Sequence, residues 1–121
     1  MITGIGIDLI ELNRIEKHIQ DDAFINRVLT PAERKLFYPL GSKRKIEFLA
    51  GRFSAKEAYA KAKGTGLGAS LSFQDMSIIN DSHGKPVLMD KTLTEMTVVH
   101  LSITHTDCTA AAVAVIESLS C

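Results

Sequence analysis

The stretch Lys43-Arg44-Lys45-Ile46-Glu47-Phe48-Leu49-Ala50-Gly51-Arg52-Phe53-Ser54-Ala55-Lys56-Glu57-Ala58-Tyr59-Ala60-Lys61-Ala62-Lys63 reads as one long helix. Ser42 stands where a cap belongs and Gly64 supplies the stop. Ile46, Leu49, Ala50 and Phe53 form its apolar stripe. At 100° per residue, Glu57 falls about 20° from Ile46, near the middle of that stripe, and Lys61 about 60° from it. A carboxylate on a core-facing stripe is rarely buried unless it is paired or holds a metal. Two readings stay open at this point: an i,i+4 Glu57–Lys61 ion pair worth about 0.5 kcal/mol, or a site for a cation.

The same helix is basic. Lys43, Arg44, Lys45, Arg52, Lys56, Lys61 and Lys63 are seven of the chain's 14 cations, opposed within the segment by Glu47 and Glu57. Arg52 and Lys56 repel each other mildly, and residues 43–45 place positive charge at the unfavourable end of the helix dipole. A solvated basic face tolerates these costs. A partner with several phosphates would remove them.

Upstream, residues 1–10 read as a strand in which Ile5, Ile7 and Leu9 alternate with Gly4, Gly6 and Asp8. One face is apolar; the other is nearly bare backbone that admits another chain segment or a ligand, and it ends in a carboxylate. Alone, Asp8 reads as a helix cap or strand-end turn. Asp8 and Glu57 together suit one hard cation, since Mg²⁺ takes one or two protein carboxylates and fills its remaining positions with water and phosphate oxygens. Leu12, Ile15 and Ile19 predict a helix from near Glu11. Asp22 would cap a short helix carrying Phe24, Ile25 and Val28. Thr30-Pro31-Ala32-Glu33 has the form of a capping box, with its helix ending before Pro39.

Downstream, Gly64-Thr65-Gly66-Leu67-Gly68 is a loop; it follows a helix, so it is neither a dinucleotide turn nor a phosphate-binding P-loop. Residues 76–79 and 87–89 flank a hairpin turn, residues 91–95 suggest a short helix, and residues 97–103 and 109–116 are strands around Thr104-His105-Thr106-Asp107. Helices early and antiparallel strands late predict an α+β fold in a single domain, 1–121. His18, His83, His100 and His105 lack metal-site spacing, His100 reads as a strand residue, and no nucleophile elbow surrounds Ser102.

Composition narrows the function. The 121 residues carry 14 basic and 14 acidic side chains, so no global field points to nucleic acid. No apolar run approaches the ~20 residues of a membrane span. The start has no signal-peptide pattern, which implies a cytoplasmic protein. Cys108 and Cys121 form neither a disulfide framework nor a zinc pattern.

Taken in order, Gly4-Ile5-Gly6-Ile7-Asp8, Arg14-Ile15, Phe48-Leu49-Ala50-Gly51-Arg52-Phe53-Ser54-Ala55-Lys56-Glu57-Ala58, Lys61-Ala62, Gly64-Thr65-Gly66, Gly84-Lys85-Pro86 and Ser102-Ile103-Thr104-His105-Thr106 resemble the holo-[acyl-carrier-protein] synthases, the short bacterial type of 4'-phosphopantetheinyl transferase. The resemblance spans essentially the whole chain. It implies that family's α+β fold, with helices packed on an antiparallel sheet, in a cytoplasmic homotrimer whose active sites lie at subunit interfaces. It also implies Mg²⁺-dependent transfer of the 4'-phosphopantetheine group from coenzyme A to a serine of apo-acyl carrier protein. Adenosine 3',5'-bisphosphate is released, in the service of fatty acid biosynthesis.

By the same resemblance Asp8 and Glu57 are Mg²⁺ ligands, and with Lys61, which lies beside the pyrophosphate, they form the catalytic group. Lys43, Arg44 and Arg52 contact phosphates or nucleotide, from a neighbouring subunit. Gly64, Pro86, His105 and Thr106 shape the nucleotide pocket, and Arg14 meets acidic residues of the carrier. After Arg14 the chain departs from the more basic pattern of many relatives, with Glu16, Asp21 and Asp22. The same carboxylates and cations also suit a rival enzyme, a Mg²⁺-dependent hydrolase of a nucleotide diphosphate bond with water as acceptor. Against a second rival, a non-catalytic module that binds coenzyme A or a carrier, stands the presence of both Asp8 and Glu57.

Overall fold

The 22-residue helix is present, Ser42–Lys63 (α4), and the rest of the chain is arranged around it. The computed structural model describes residues 1–94 and 96–120. Before α4 come β1 (Ile2–Glu11), α1 (Leu12–Glu16), α2 (Asp22–Val28) and α3 (Pro31–Phe37). After it come a single 3-10 turn (Phe73–Asp75), β2 (Met76–Asn80), β3 (Pro86–Asp90), β4 (Thr97–His105) and β5 (Thr109–Ser118). Strands β1, β5 and β4 form one antiparallel sheet in that order, and β2 and β3 a separate hairpin. The expected α+β architecture is therefore observed.

Helix α4 lies across the inner face of the three-stranded sheet. Small residues make the approach close: Ala110, Ala112 and Ala114 of β5 are buried, as are Ala55, Ala58 and Ala62 of the helix. At β1 even a methyl group is too large. A Cβ on Gly4 would collide with the Ala62 carbonyl, and one on Gly6 with the Ala58 carbonyl. The bare face of β1 thus meets another backbone. Its apolar face points outward, with Ile5 70%, Ile7 67% and Leu9 64% exposed. In register beside them stand Val115, Val113 and Ala111 of β5.

The local signals at helix ends are mostly as expected. The Thr30–Glu33 capping box closes in both directions, and Gly64 takes the left-handed conformation at φ 80°. Two caps are corrected by one residue. Asp21, not Asp22, caps α2 by accepting from the Phe24 amide at 3.2 Å. Gly41, not Ser42, is the N-cap of α4, and the Ser42 side chain makes no capping bond. The helix suggested for 91–95 is absent among the described residues: Lys91 and Thr92 turn on the Asp90 carboxylate, which accepts from the Thr92 amide at 2.8 Å. Glu95 and Cys121 lie outside the described residues; Cys108 is a free, exposed thiol.

The larger correction concerns the basic face of α4. Part of it is not a solvated surface: Arg52 and Lys56 are buried, because this helix is packed by the sheet on one side and by α1, α2 and α3 on others. Lys56 is fully buried. Its ammonium donates to Glu33 Oε1 at 2.6 Å and to the carbonyls of Val28 at 2.7 Å and Phe73 at 3.1 Å. Glu33 Oε2 accepts from the Ile78 amide at 2.9 Å, tying α3 to β2. Burial lowers the Lys56 pKa, and Glu33 opposes that shift. Removing one partner from such a pair costs about 3–5 kcal/mol because the other charge is stranded. Lys45 lies over the rings of Phe37 and Tyr38.

Candidate active site

Ser54, Glu57 and Lys61 occupy one face of α4 at i, i+3 and i+7, and that face looks onto Asp8 of β1. Asp8 follows Gly4 and Gly6 on the inner side of the strand, so the backbone contact that needs those glycines also carries its carboxylate to the helix. Ser54 Oγ lies 3.0 Å from both Asp8 O and Asp8 Oδ2 and donates there. Lys61 Nζ donates to Asp8 Oδ1 at 3.1 Å and to the Ile7 carbonyl at 3.1 Å.

Glu57 stands between these two. The i,i+4 pair with Lys61 is not formed. Among the described residues no cation lies within ion-pair distance of Glu57. Burial, and next the Asp8 charge, raise its pKa above the ordinary carboxylate value, while Lys61 and Arg27 pull the other way. A carboxylate whose ionisation is opposed by burial and by a second carboxylate beside it fits a divalent cation shared between the two. Among the described residues no cluster of three or more His, Cys, Asp or Glu side chains converges. A metal here would take two protein ligands and complete its shell from water and substrate, as Mg²⁺ does.

A second cluster lies at the other end of α4. Arg44, Glu47, Phe48, Arg52, Pro86 and His105 line a pocket of about 180 Å³. Arg52 is only 8% exposed; its guanidinium lies 4.1 Å above the Phe48 ring and donates to the Ile78 carbonyl at 3.1 Å, yet its Nε has no hydrogen-bond partner. A guanidinium fixed against an aromatic ring in a pocket shared with Arg44 suits a phosphorylated ligand. Lys43 borders an adjoining recess with Ile46, Glu47 and Asp107. Thr106 shapes the β4–β5 turn, its hydroxyl accepting from the amides of Cys108 and Thr109.

The structure therefore brings Asp8, Glu57 and Lys61 together, and gathers Arg44, Arg52, Pro86 and His105 elsewhere. Arg44 and Lys61 are separated by about 25 Å along the helix axis at 1.5 Å per residue, and Gly64 belongs with Lys61 at that far end. Arg14 is exposed on α1. Sequence reasoning missed Ser54 and Glu47. The heptad spacing of Ser54 and Lys61 signals the first. For the second the signal is the placement of Glu47 three residues after Arg44.

A family model for the 4'-phosphopantetheinyl transferase superfamily matches residues 4–116. The holo-[acyl-carrier-protein] synthase of Bacillus velezensis is 58% identical over 121 residues, covering 99% of both chains. That of Geobacillus sp. (strain WCH70) is 50% identical over 121 residues, covering 99% of this chain and 100% of its own. Among solved structures, a holo-(acyl-carrier-protein) synthase from Bacillus anthracis in complex with CoA (3',5'-ADP) matches with a TM-score of 0.90 at 52% identity over 98% of each chain. The Helicobacter pylori synthase in complex with coenzyme A matches with a TM-score of 0.80 at 32% identity, over 93% of this chain and 99% of that one.

Proposed function

The chain belongs to the 4'-phosphopantetheinyl transferase superfamily, and on that premise we propose that it transfers the 4'-phosphopantetheine group of coenzyme A to a serine of an apo-acyl carrier protein. Adenosine 3',5'-bisphosphate is the second product, and fatty acid synthesis is the process served. The observation that carries this reading is the meeting of Asp8, Glu57 and Lys61 on one face.

In this reading Asp8 and Glu57 hold Mg²⁺. An ion held by these two carboxylates would supply neutralisation of the donor's pyrophosphate and of the charge that builds on the leaving phosphate. Ser54 fixes the Asp8 carboxylate, and Lys61 sets a positive group beside the same pyrophosphate. The carrier serine attacks the phosphorus that bears the pantetheine, and the bond from that phosphorus to the leaving phosphate breaks. Glu57 accepts the serine proton, a contribution worth roughly 10²–10⁴ in rate.

The donor pocket belongs to a second copy of the chain. Within one chain, Arg44 lies about 20 Å from Glu57 along α4, too far for one nucleotide to engage both ends. The exposed Ile5, Ile7 and Leu9 with Val113 and Val115 form an apolar sheet face suited to subunit contact. We propose a homotrimer with its sites at the interfaces, and place the enzyme in the cytoplasm. No described helix is long and apolar enough to cross a membrane. Arg14, exposed on α1, is assigned to the acidic surface of the carrier.

Intact-mass spectrometry of an apo-acyl carrier protein incubated with the protein, coenzyme A and Mg²⁺ tests the reading, beside an EDTA control. The expected result is a gain of one phosphopantetheine that EDTA abolishes. Bound coenzyme A with no gain on several carriers would indicate a binding module. Cleaved coenzyme A without a carrier would indicate a hydrolase.

A further inference from the structure

The donor pocket contains a feature that simple electrostatics disfavours. Glu47 lies in the same wall as the cations meant for phosphate, and its side chain is only 9% exposed. An anion tucked into an anion site repels the ligand unless it does something else.

Its contacts show what that is. Glu47 Oε1 accepts from Arg44 Nη1 at 2.9 Å, and Oε2 lies 3.4 Å from His105 Nε2. Each oxygen thus engages a different group, one from the first turn of α4 and one from the end of β4. Both groups are loosely held otherwise: the side chains of Arg44 and His105 are 61% and 42% exposed. Arg52 below them needs no such help, being buried and stacked on Phe48. The hydrogen bond from Arg44, with the nearby charges of His105 and Lys43, holds the Glu47 carboxyl below its usual range, so it remains an acceptor at neutral pH.

We propose that Glu47 is a positioning residue of the donor pocket, clamping Arg44 and His105 into one cationic wall facing the phosphates of coenzyme A. This inference rests on the reading of that pocket as the nucleotide site. Two opposed effects decide its sign. Glu47 weakens phosphate binding by its charge, and strengthens it by ordering two side chains before the ligand arrives. Oε1 is engaged by the Arg44 guanidinium and Oε2 faces the His105 ring, so part of its charge is already offset and ordering dominates.

The test is calorimetric titration of adenosine 3',5'-bisphosphate and of coenzyme A into wild type, E47Q, E47D and R44A, and into the double variant R44A/E47Q, with transfer kinetics alongside. E47Q should weaken both ligands about tenfold, the scale of a lost charge-assisted hydrogen bond. KM for coenzyme A should rise by more than kcat falls. E47D, which keeps the charge, should lie between, and E47Q should add little in the R44A background. Unchanged or tighter binding by E47Q would overturn the proposal, as would a full additional loss in R44A. Unfolding curves for every variant separate these effects from loss of fold. Failure of wild type to bind coenzyme A would instead sink the assignment of the pocket.

Discussion

Lys61 Nζ reaches across from α4 to Asp8 Oδ1 at 3.1 Å, while Glu57, one turn earlier on the same helix, has no ion-pair partner among the described residues. The lysine thus neutralises the carboxylate on the strand and leaves the one on the helix with an excess of negative charge. That unpaired carboxylate beside a paired one is the feature on which the proposed cation site rests.

Replacing Glu57 by Gln should therefore separate activity from stability. Turnover at saturating Mg²⁺ should fall by about 10²-fold or more. Stability in EDTA should rise at neutral pH. The reason lies in the sign of the shift: the Glu57 pKa is raised in the fold, so the stability it contributes is present below its ordinary value near 4.5 and lost as pH rises through the raised one. Thermal melts of both proteins from pH 4 to pH 8 check this, and the gap should widen with pH. Near-normal turnover would remove Glu57 from the chemistry.

Ser54→Ala should weaken the metal requirement's affinity without altering its stoichiometry. The hydroxyl is buried and lies 3.0 Å from Oδ2 of the half-buried Asp8. Outer partners of metal ligands are typically worth about 10–100-fold in affinity. The Mg²⁺ concentration giving half-maximal transfer should rise about tenfold, with the maximal rate largely recovered.

Gly6→Ala should be far more damaging than a methyl group suggests. The added carbon meets the Ala58 carbonyl and the Ala62 amide nitrogen, both main chain. Overpacking that only backbone movement can relieve should cost about 3 kcal/mol or more. Urea denaturation gives the number, and a loss below about 1 kcal/mol would show that β1 and α4 can part easily.

Ile7→Asp tests the outer sheet face. Ile7 is 67% exposed in the single chain, so the change leaves the core intact and burdens only an assembly. Light scattering behind size exclusion should show smaller species, with transfer activity falling in parallel. A variant that stays assembled and active would place the subunit contact elsewhere.

Tyr59→Phe removes a hydroxyl that donates to Asp90 Oδ2 at 2.6 Å in the core. Burial alone would raise the Asp90 pKa, but the bonds from Tyr59 and Thr92 outweigh it and hold the carboxyl below its usual value of 3.8. The stability from this pairing is present above that value and lost as pH falls through the lowered one. The variant should be about 1.5–3 kcal/mol less stable at pH 7. Its deficit should shrink below about pH 4.

Much of this was legible beforehand, for identifiable reasons. The glycine face of β1 and the periodicity of α4 are local patterns, and local patterns survive folding. Glu57 could be singled out because a carboxylate on an apolar stripe is an anomaly at any level, whereas Asp8 gained meaning only as a second carboxylate beside it and Lys61 through the family resemblance. Lys56 could not, since one residue of phase separates it from Glu57 and only the packing of α3 reveals Glu33 as its partner. The buried state of Arg52 was hidden for the same reason, as its neighbours Phe48 and Ile78 come from different elements. Glu47 looked like an incidental acid in a basic helix because its second partner, His105, lies more than fifty residues away in sequence.

The contact of Gly4 and Gly6 with the carbonyls of Ala62 and Ala58 has a consequence for how this protein tolerates change. Where side chains separate two elements, each substitution resets the gap. Here main chain rests on main chain, so the distance between the strand bearing Asp8 and the helix bearing Glu57 acts as a gauge block whose thickness does not depend on side-chain identity. Substitutions can accumulate through the surrounding core while the span between Asp8 and Glu57 stays constant, provided those two glycines are kept.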